Sequence, residues 1–219
     1  MSGSTGVTVL VNQKVIVTAN VGDSRAAMLV KNADGSLQAV PITNDHTPDY
    51  PGETERIVKA GGEIKPFRLA NGKFVGPKRV WKKNKDTPGL MMTRSFGDEI
   101  GHSCGITSVP EVQVFPLKES IVGIVVASDG VWEKIPMNII GAVCQKHYPE
   151  SNSSGAVNEL VNKAMNKWRK TSVVYMDDIT CVVGFLNTEK ISLSQKIART
   201  NASGKNHQAE DKGMTEMLN

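Results

Sequence analysis

Short apolar runs closed by turn residues dominate the first forty positions and return between residues 111 and 186. Residues 6–11 and 14–21, rich in Val, Ile and Thr, predict two strands joined by the polar turn at Asn12-Gln13. Gly22-Asp23-Ser24 reads as a turn, residues 25–30 as a third strand, and Asn32-Ala33-Asp34-Gly35 as the turn that closes a β-meander. The period changes over residues 51–62, where Glu53 and Glu55 occupy a first helical turn and Gly61-Gly62 supplies the stop. Residues 65–108 are rich in Gly, Pro and Lys and weakly periodic, which predicts an excursion of loops and turns rather than a second domain. Strand character returns at residues 111–117. The continuous apolar run 121–127 predicts a buried strand ending on Ser128-Asp129-Gly130. Helices are expected over about residues 135–147 and 154–169; in the second, Val157, Leu160, Val161, Ala164, Met165 and Trp168 form one apolar stripe that core packing explains. A last strand over residues 179–186 is entered directly from Asp177-Asp178. From residue 188 to 219 the chain is polar, which predicts a mobile tail or a frayed helix.

Composition narrows the class. A charged fraction of 22% is ordinary, so one domain with a real core is expected. No apolar stretch is long enough to span a bilayer and Met1 leads straight into Ser2-Gly3-Ser4-Thr5, so the expectation is a protein with no membrane or secretory role, cytoplasmic or nuclear. Cys104, Cys144 and Cys181 are odd in number and widely spaced, against a disulfide framework or a zinc motif. Cys144 and Cys181 read as small core hydrophobes. The excess positive charge gathers in Lys78-Arg79-Val80-Trp81-Lys82-Lys83-Asn84-Lys85. Solvated loop charge is the plainest reading of that run, with nucleic-acid contact or docking of acidic or phosphorylated partners as alternatives; no nucleic-acid partner is expected.

Candidate chemistry lies in carboxylates at the ends of apolar runs: Asp23 in Val-Gly-Asp-Ser-Arg, Asp129 in Ala-Ser-Asp-Gly-Val-Trp and Asp177 in Met-Asp-Asp-Ile-Thr. Singly, each is explained by a turn or a strand end. Jointly, they are the oxygen donors that a hard divalent cation takes. A buried strand ending in Ser-Asp-Gly and followed by Trp132-Glu133 is costly unless a cation offsets the charge.

The order of motifs resembles the metal-dependent protein phosphatases of type 2C. It comprises Ser2-Gly3-Ser4-Thr5, Gly22-Asp23-Ser24-Arg25-Ala26, Asp45-His46 with Glu53 and Arg56-Ile57, Thr93-Arg94-Ser95-Phe96-Gly97-Asp98, Val109-Pro110-Glu111-Val112, Ala127-Ser128-Asp129-Gly130-Val131-Trp132 and Asp177-Asp178-Ile179-Thr180. The resemblance runs to about Leu186 and implies an α+β fold, a β-sandwich of antiparallel sheets flanked by helices on both sides. It further implies a catalytic domain over residues 1–187, with a flap-like region over 45–108, and a tail over 188–219. It implies two catalytic Mg²⁺ or Mn²⁺ ions, with Asp129 as a ligand of the pair and Asp177 of one of them. Asp178 stands where Asn is usual. Asp23, Asp129 and Glu133, the last in place of a common Asp, are implied to hold a weaker third ion. Two such cations about 4 Å apart lower the pKa of a bridging water, so hydroxide attacks phosphorus without a protein nucleophile. His46 is expected to be structural. The implied partner is a phosphoprotein hydrolysed at phosphoserine or phosphothreonine.

One departure carries weight. The family's Asp-Gly-His-Gly motif is absent: Asp34-Gly35 and Asp129-Gly130 are the Asp-Gly pairs here, followed by Ser36 and Val131. The chain therefore reads as the C-terminal two thirds of such a domain. Little activity is expected of it alone, and either a complementary N-terminal segment or self-association is expected. A non-catalytic module that binds phosphoproteins or regulates a complete homologue is the alternative function.

Overall fold

The computed structural model describes residues 2–171 and 176–187. In chain order the strands and helices are β1 (Gly3–Ser4), β2 (Gly6–Val11), β3 (Val15–Val21), β4 (Arg25–Lys31), β5 (Leu37–Pro41), α1 (Glu53–Lys59), β6 (Gly62–Arg68), β7 (Phe74–Lys82), β8 (Pro88–Leu90) and β9 (Phe96–Gly97). There follow α2 (Glu99–His102), β10 (Glu111–Pro116), β11 (Ile121–Ala127), α3 (Asp129–Trp132), α4 (Met137–His147), α5 (Ser153–Thr171) and β12 (Cys181–Phe185). The expected domain boundary at residue 187 and the tail over 188–219 fall at or beyond the edge of the described residues.

Two antiparallel sheets form the sandwich. One has the order β10-β3-β2, the other β12-β11-β4-β5. The β2–β3 hairpin turns at Asn12, whose Oδ1 accepts the amides of Lys14 and Val15, both at 2.8 Å, adding to the backbone bond from the Asn12 amide to the Val15 carbonyl at 3.0 Å. Between the sheets, Ile16, Ala26, Ile42, Ile121 and Ile124 are buried, with Val9, Val11, Met28 and Phe115 packed around them. The opposite face of the four-stranded sheet carries Leu29, Val125 and Val183 against Ile140, Val143, Leu160 and Ala164 of α4 and α5. In α5 the buried residues Ala156, Leu160, Ala164 and Trp168 recur every four positions, so one stripe faces the sheet as the periodicity predicts.

Of the two sandwich sheets, α4 and α5 cover one. On the other, Leu10, Val112 and Val114 are 55%, 58% and 62% exposed on the outer face, and among the described residues no helix lies over them. The expectation of helices on both sides is thus met on one side.

Residues 65–108 depart from the expected loops. β6, β7 and β8 form a third antiparallel sheet, and Ile64, Val80 and Leu90 pack with Ile57, Cys104 and Ile106 into a small core of their own. Most side chains of β6 and β7 are exposed or half-buried, so no period-two alternation marks them in the sequence. Further elements are additional to the sequence reading: β5, which pairs with β4, the β1–β9 pair, the short α2, and the short α3, which begins at Asp129 where only a turn was expected. Among the described residues, no helix is long and apolar enough to cross a membrane.

Candidate metal centre

Strand register brings the predicted carboxylates to one end of the four-stranded sheet. Ala127 at the end of β11 pairs with Arg25 at the start of β4 and with Cys181 at the start of β12. Asp23 precedes β4, Asp129 follows β11, and Asp177 precedes β12, so all three leave the sheet on the same edge.

Local chemistry holds them there. Ser128 Oγ donates to the Asp178 carbonyl at 2.8 Å and accepts the Thr180 amide at 3.0 Å, tying the end of β11 to the start of β12. Asp177 Oδ1 accepts the Asp178 amide at 2.9 Å. Gly130 lies under the Asp178 carbonyl so closely that a Cβ there would collide with it. Trp132 Nε1 donates to the carbonyls of Ala127 and Arg25, at 2.6 and 3.1 Å, which anchors α3 across both strands. Gly22, at φ +105, takes the left-handed conformation ahead of Asp23, and a Cβ there would collide with the Thr5 methyl group.

The carboxylates sense one another. Burial pushes the Asp129 carboxyl up to about 6, with the negative charges of Asp23, Asp177 and Glu133 adding to the effect. Asp23 is raised likewise, first by burial and then by Asp45, Asp177 and Glu133. Such mutual repulsion marks a cation-seeking cluster of hard oxygen donors. Among the described residues, however, no three His, Cys, Asp or Glu side chains close into a coordination sphere. The donor set fits a divalent cation in chemistry and in charge, and stops short of a preformed shell.

Of the five predicted ligands, Asp23, Asp129, Asp177 and Glu133 are thus brought into one electrostatic group. Asp178 contributes differently: its backbone completes the latch to Ser128, while the residue itself is exposed and is not among the charges raising Asp23 or Asp129.

Three further residues went unread as site residues. Asp45 and Asp49 line a cleft of about 220 Å³ with Asp23, Asp129 and Glu133, and Lys78 of β7 closes its rim. Asp45 takes Arg25 in a two-pronged ion pair, 2.9 and 2.7 Å, which holds the Arg25 guanidinium still more firmly charged. Lys78 Nζ reaches Asp49 Oδ1 at 2.6 Å. Lys78 belongs to the basic run that reads as loop charge; its adjacency to Gly76-Pro77, a bend signal, sets it apart.

His46 is buried and tied to its neighbours by hydrogen bonds. Its Nδ1 accepts the Gly22 amide at 3.1 Å and its Nε2 faces Glu111 Oε2 at 3.2 Å. Cys144 is fully buried and Cys181 half-buried; burial pushes both thiols up, to about 12 and about 11, which disfavours the nucleophilic thiolate.

Comparison with known proteins places these features in a family. Residues 1–173 match the family model described as protein phosphatase 2C. Among curated relatives, probable protein phosphatase 2C 61 of Arabidopsis thaliana is 35% identical over 187 residues, which cover 85% of this chain and 55% of that protein. Probable protein phosphatase 2C 73 of the same plant is 38% identical over 192 residues, 85% of this chain and 48% of that protein. The chain thus spans about half the length of these relatives. Among solved structures, a serine-threonine phosphatase 2C from Toxoplasma gondii superposes with a TM-score of 0.66 at 24% identity, over 83% of this chain and 57% of that one. A C. elegans sex determining protein superposes with a TM-score of 0.63 at 21% identity, over 86% and 42%. At those identities the likeness is one of fold.

Proposed function

The chain belongs to the protein phosphatase 2C family, and on that premise we propose that it is part of a metal-dependent protein phosphatase that hydrolyses phosphoserine and phosphothreonine. The observation that carries the reading is the convergence of Asp23, Asp129, Asp177 and Glu133, whose charges act on one another at the end of β11. Asp129 and Asp177 are assigned to a Mg²⁺ or Mn²⁺ ion at the mouth of the sandwich, and Asp23 with Glu133 to a weaker neighbouring one. A bound ion of this kind supplies Lewis acidity and a water acidified enough to attack phosphorus.

The chain's own residues do the positioning. Ser128, Gly130 and the Asp178 backbone hold Asp129 beside Asp177. Trp132 keeps α3 seated on the strand ends, and Arg25 neutralises Asp45 so that one fewer unpaired charge faces the cleft. With every thiol buried or half-buried and driven upward in pKa, a covalent cysteine route has no candidate among the described residues.

A second reading, a phosphatase-like module that binds phosphoproteins without hydrolysing them, is favoured by the open coordination shell. Metal uptake and turnover separate the two. Calorimetric titration with Mn²⁺ is expected to show binding that Asp129→Asn and Asp177→Asn each weaken at least tenfold; equal binding by all three proteins would sink the metal assignment. Manganese-dependent release of phosphate from a phosphothreonine peptide, by this chain or by this chain supplemented with the expected N-terminal segment, supports the enzyme, and binding of that peptide without release in both cases supports the module.

A further inference from the structure

β7 does not run straight past the cleft. Lys65 of β6 pairs with Arg79 and Phe67 pairs with Val75, so Pro66 alone faces Gly76, Pro77 and Lys78. Three residues opposite one make a bulge, a device that re-aims a side chain beside a site. The local sequence suits it. Gly76 takes φ +77, and Pro66 and Pro77 have no amide proton to leave unpaired. The bulge carries Pro77 and Lys78 to the cleft that Asp23, Asp45, Asp49, Asp129 and Glu133 also line.

Charge gives that placement a meaning. Among the described residues, Lys78 is the one cation lining a cleft with five carboxylates; of the cations beside it, Arg25 is committed to Asp45 by two hydrogen bonds, and Lys134 to Glu133 at 3.4 Å and to the Trp168 ring. The partner of Lys78, Asp49, holds it loosely: the side chains are 54% and 71% exposed, and such a pair contributes little in water. A cation so held can exchange one carboxylate for another at small cost. The half-buried Asp129 and Asp23 lie deeper than the exposed Asp49 and Lys78, so a divalent cation held by the deeper pair would face the phosphate, and the group that meets Lys78 belongs to a residue beside it.

We propose that Lys78 selects substrates, releasing Asp49 to bind the carboxylate of an acidic residue flanking the phosphorylated Ser or Thr. The assignment rests on the phosphatase reading of the cleft and deepens it by naming the peptide class: phosphorylated sites with neighbouring Asp or Glu, in preference to neutral or basic ones.

Fluorescence anisotropy on the full chain with Mn²⁺ tests it, using three labelled phosphothreonine peptides with Glu, Gln or Lys at the flanking positions. The Glu-flanked peptide is expected to bind the native chain most tightly. Lys78→Gln weakens that peptide about fivefold, the scale of one exposed ion pair, and leaves the Gln-flanked peptide within about twofold. Lys78→Glu turns the preference toward the Lys-flanked peptide, and Lys78→Arg retains the native order. Equal loss for the Glu- and Gln-flanked peptides overturns the proposal, because Lys78 is then gripping the phosphate itself. A native chain that binds the Gln- and Glu-flanked peptides equally well overturns the role of Lys78 and leaves the phosphatase reading intact. Failure to bind any of the three overturns both.

Discussion

His46 holds Gly22 by two atoms at once: its ring Nδ1 accepts the Gly22 amide at 3.1 Å, and its own amide donates to the Gly22 carbonyl at 3.0 Å. Because Nδ1 accepts, the ring proton sits on Nε2 and points at Glu111. A neutral imidazole thereby fixes the residue that sets the direction of Asp23.

That neutrality predicts an acid sensitivity. Burial, then the Arg94 charge, lowers the His46 pKa below 6.5, against the opposing pull of Glu111. The unfolded chain, titrating near 6.5, therefore takes up this proton first. The contribution is complete above that pH and is lost as pH falls from 6.5 through the folded value. Replacing His46 with Gln, which cannot titrate, is expected to remove this part of the slope: melting temperatures of the two proteins should converge between pH 7.5 and 5.5. A constant gap between them would show that the folded ring takes up its proton as readily as the unfolded one, so that its pKa is not lowered.

Asp129 has the opposite sign. Its carboxyl is raised from 3.8 to about 6, so without a cation its charge destabilises the fold as pH rises through that interval. Asp129→Asn should stabilise the metal-free chain at pH 7 by about 1 kcal/mol once solvent screening is allowed for. Addition of Mn²⁺ should raise the melting temperature of the native chain and not that of the variant, by linkage. Thermal melts in chelator and in excess Mn²⁺ read both effects.

Gly130→Ala should act at a distance from any ligand atom. The new methyl group meets the Asp178 carbonyl group, with its carbon 3.0 Å away, and forces β12 off α3. Overpacking of this kind costs about 1–3 kcal/mol. Urea denaturation measures that cost, and Mn²⁺ calorimetry should show weaker binding, since Asp129 and Asp177 lie on the two sides that part.

Glu53 is the hub of the region between the sandwich and the third sheet. At 3% exposure it accepts Arg94 Nη2 at 2.9 Å, Arg56 Nη2 at 2.6 Å and the Thr93 hydroxyl. Burial alone works to raise its pKa, yet the bonds from Arg94, Thr93 and Arg56 hold the carboxyl below its usual value. Glu53→Ala strands two guanidinium groups and is expected to cost about 3–5 kcal/mol. Chemical denaturation checks it, and a loss below 1 kcal/mol would mean that water replaces the carboxylate.

The outer face of β10-β3-β2 should promote self-association. Val112 and Val114 stand exposed there beside Leu10. The pair Val112→Thr and Val114→Thr keeps strand propensity and should lower the weight-average mass in sedimentation equilibrium at high protein concentration. Equal masses for the two proteins would argue against the face.

The elements with a strong local period were legible in the chain alone. The hairpin of β2 and β3, the buried strand β11 and the stripe of α5 all lie within a residue or two of where their patterns place them, because burial of one face imposes alternation or a four-residue spacing on contiguous residues. The carboxylates that end those strands were legible for the same reason. Asp23 and Asp129 mark points where an apolar run stops, and Asp177 the point where one begins. What the tertiary structure decided is which of them meet. Antiparallel register put three distant strand ends on one edge, left the Asp178 side chain outside the group, and brought Asp45, Asp49 and Lys78 to the same cleft. The third sheet escaped the pattern because both of its faces are partly exposed, so no period-two signal was required of its residues. The bulge at Lys78 escaped it too, since a bulge exists only relative to the strand it is paired with, and pairing is a property of no single segment.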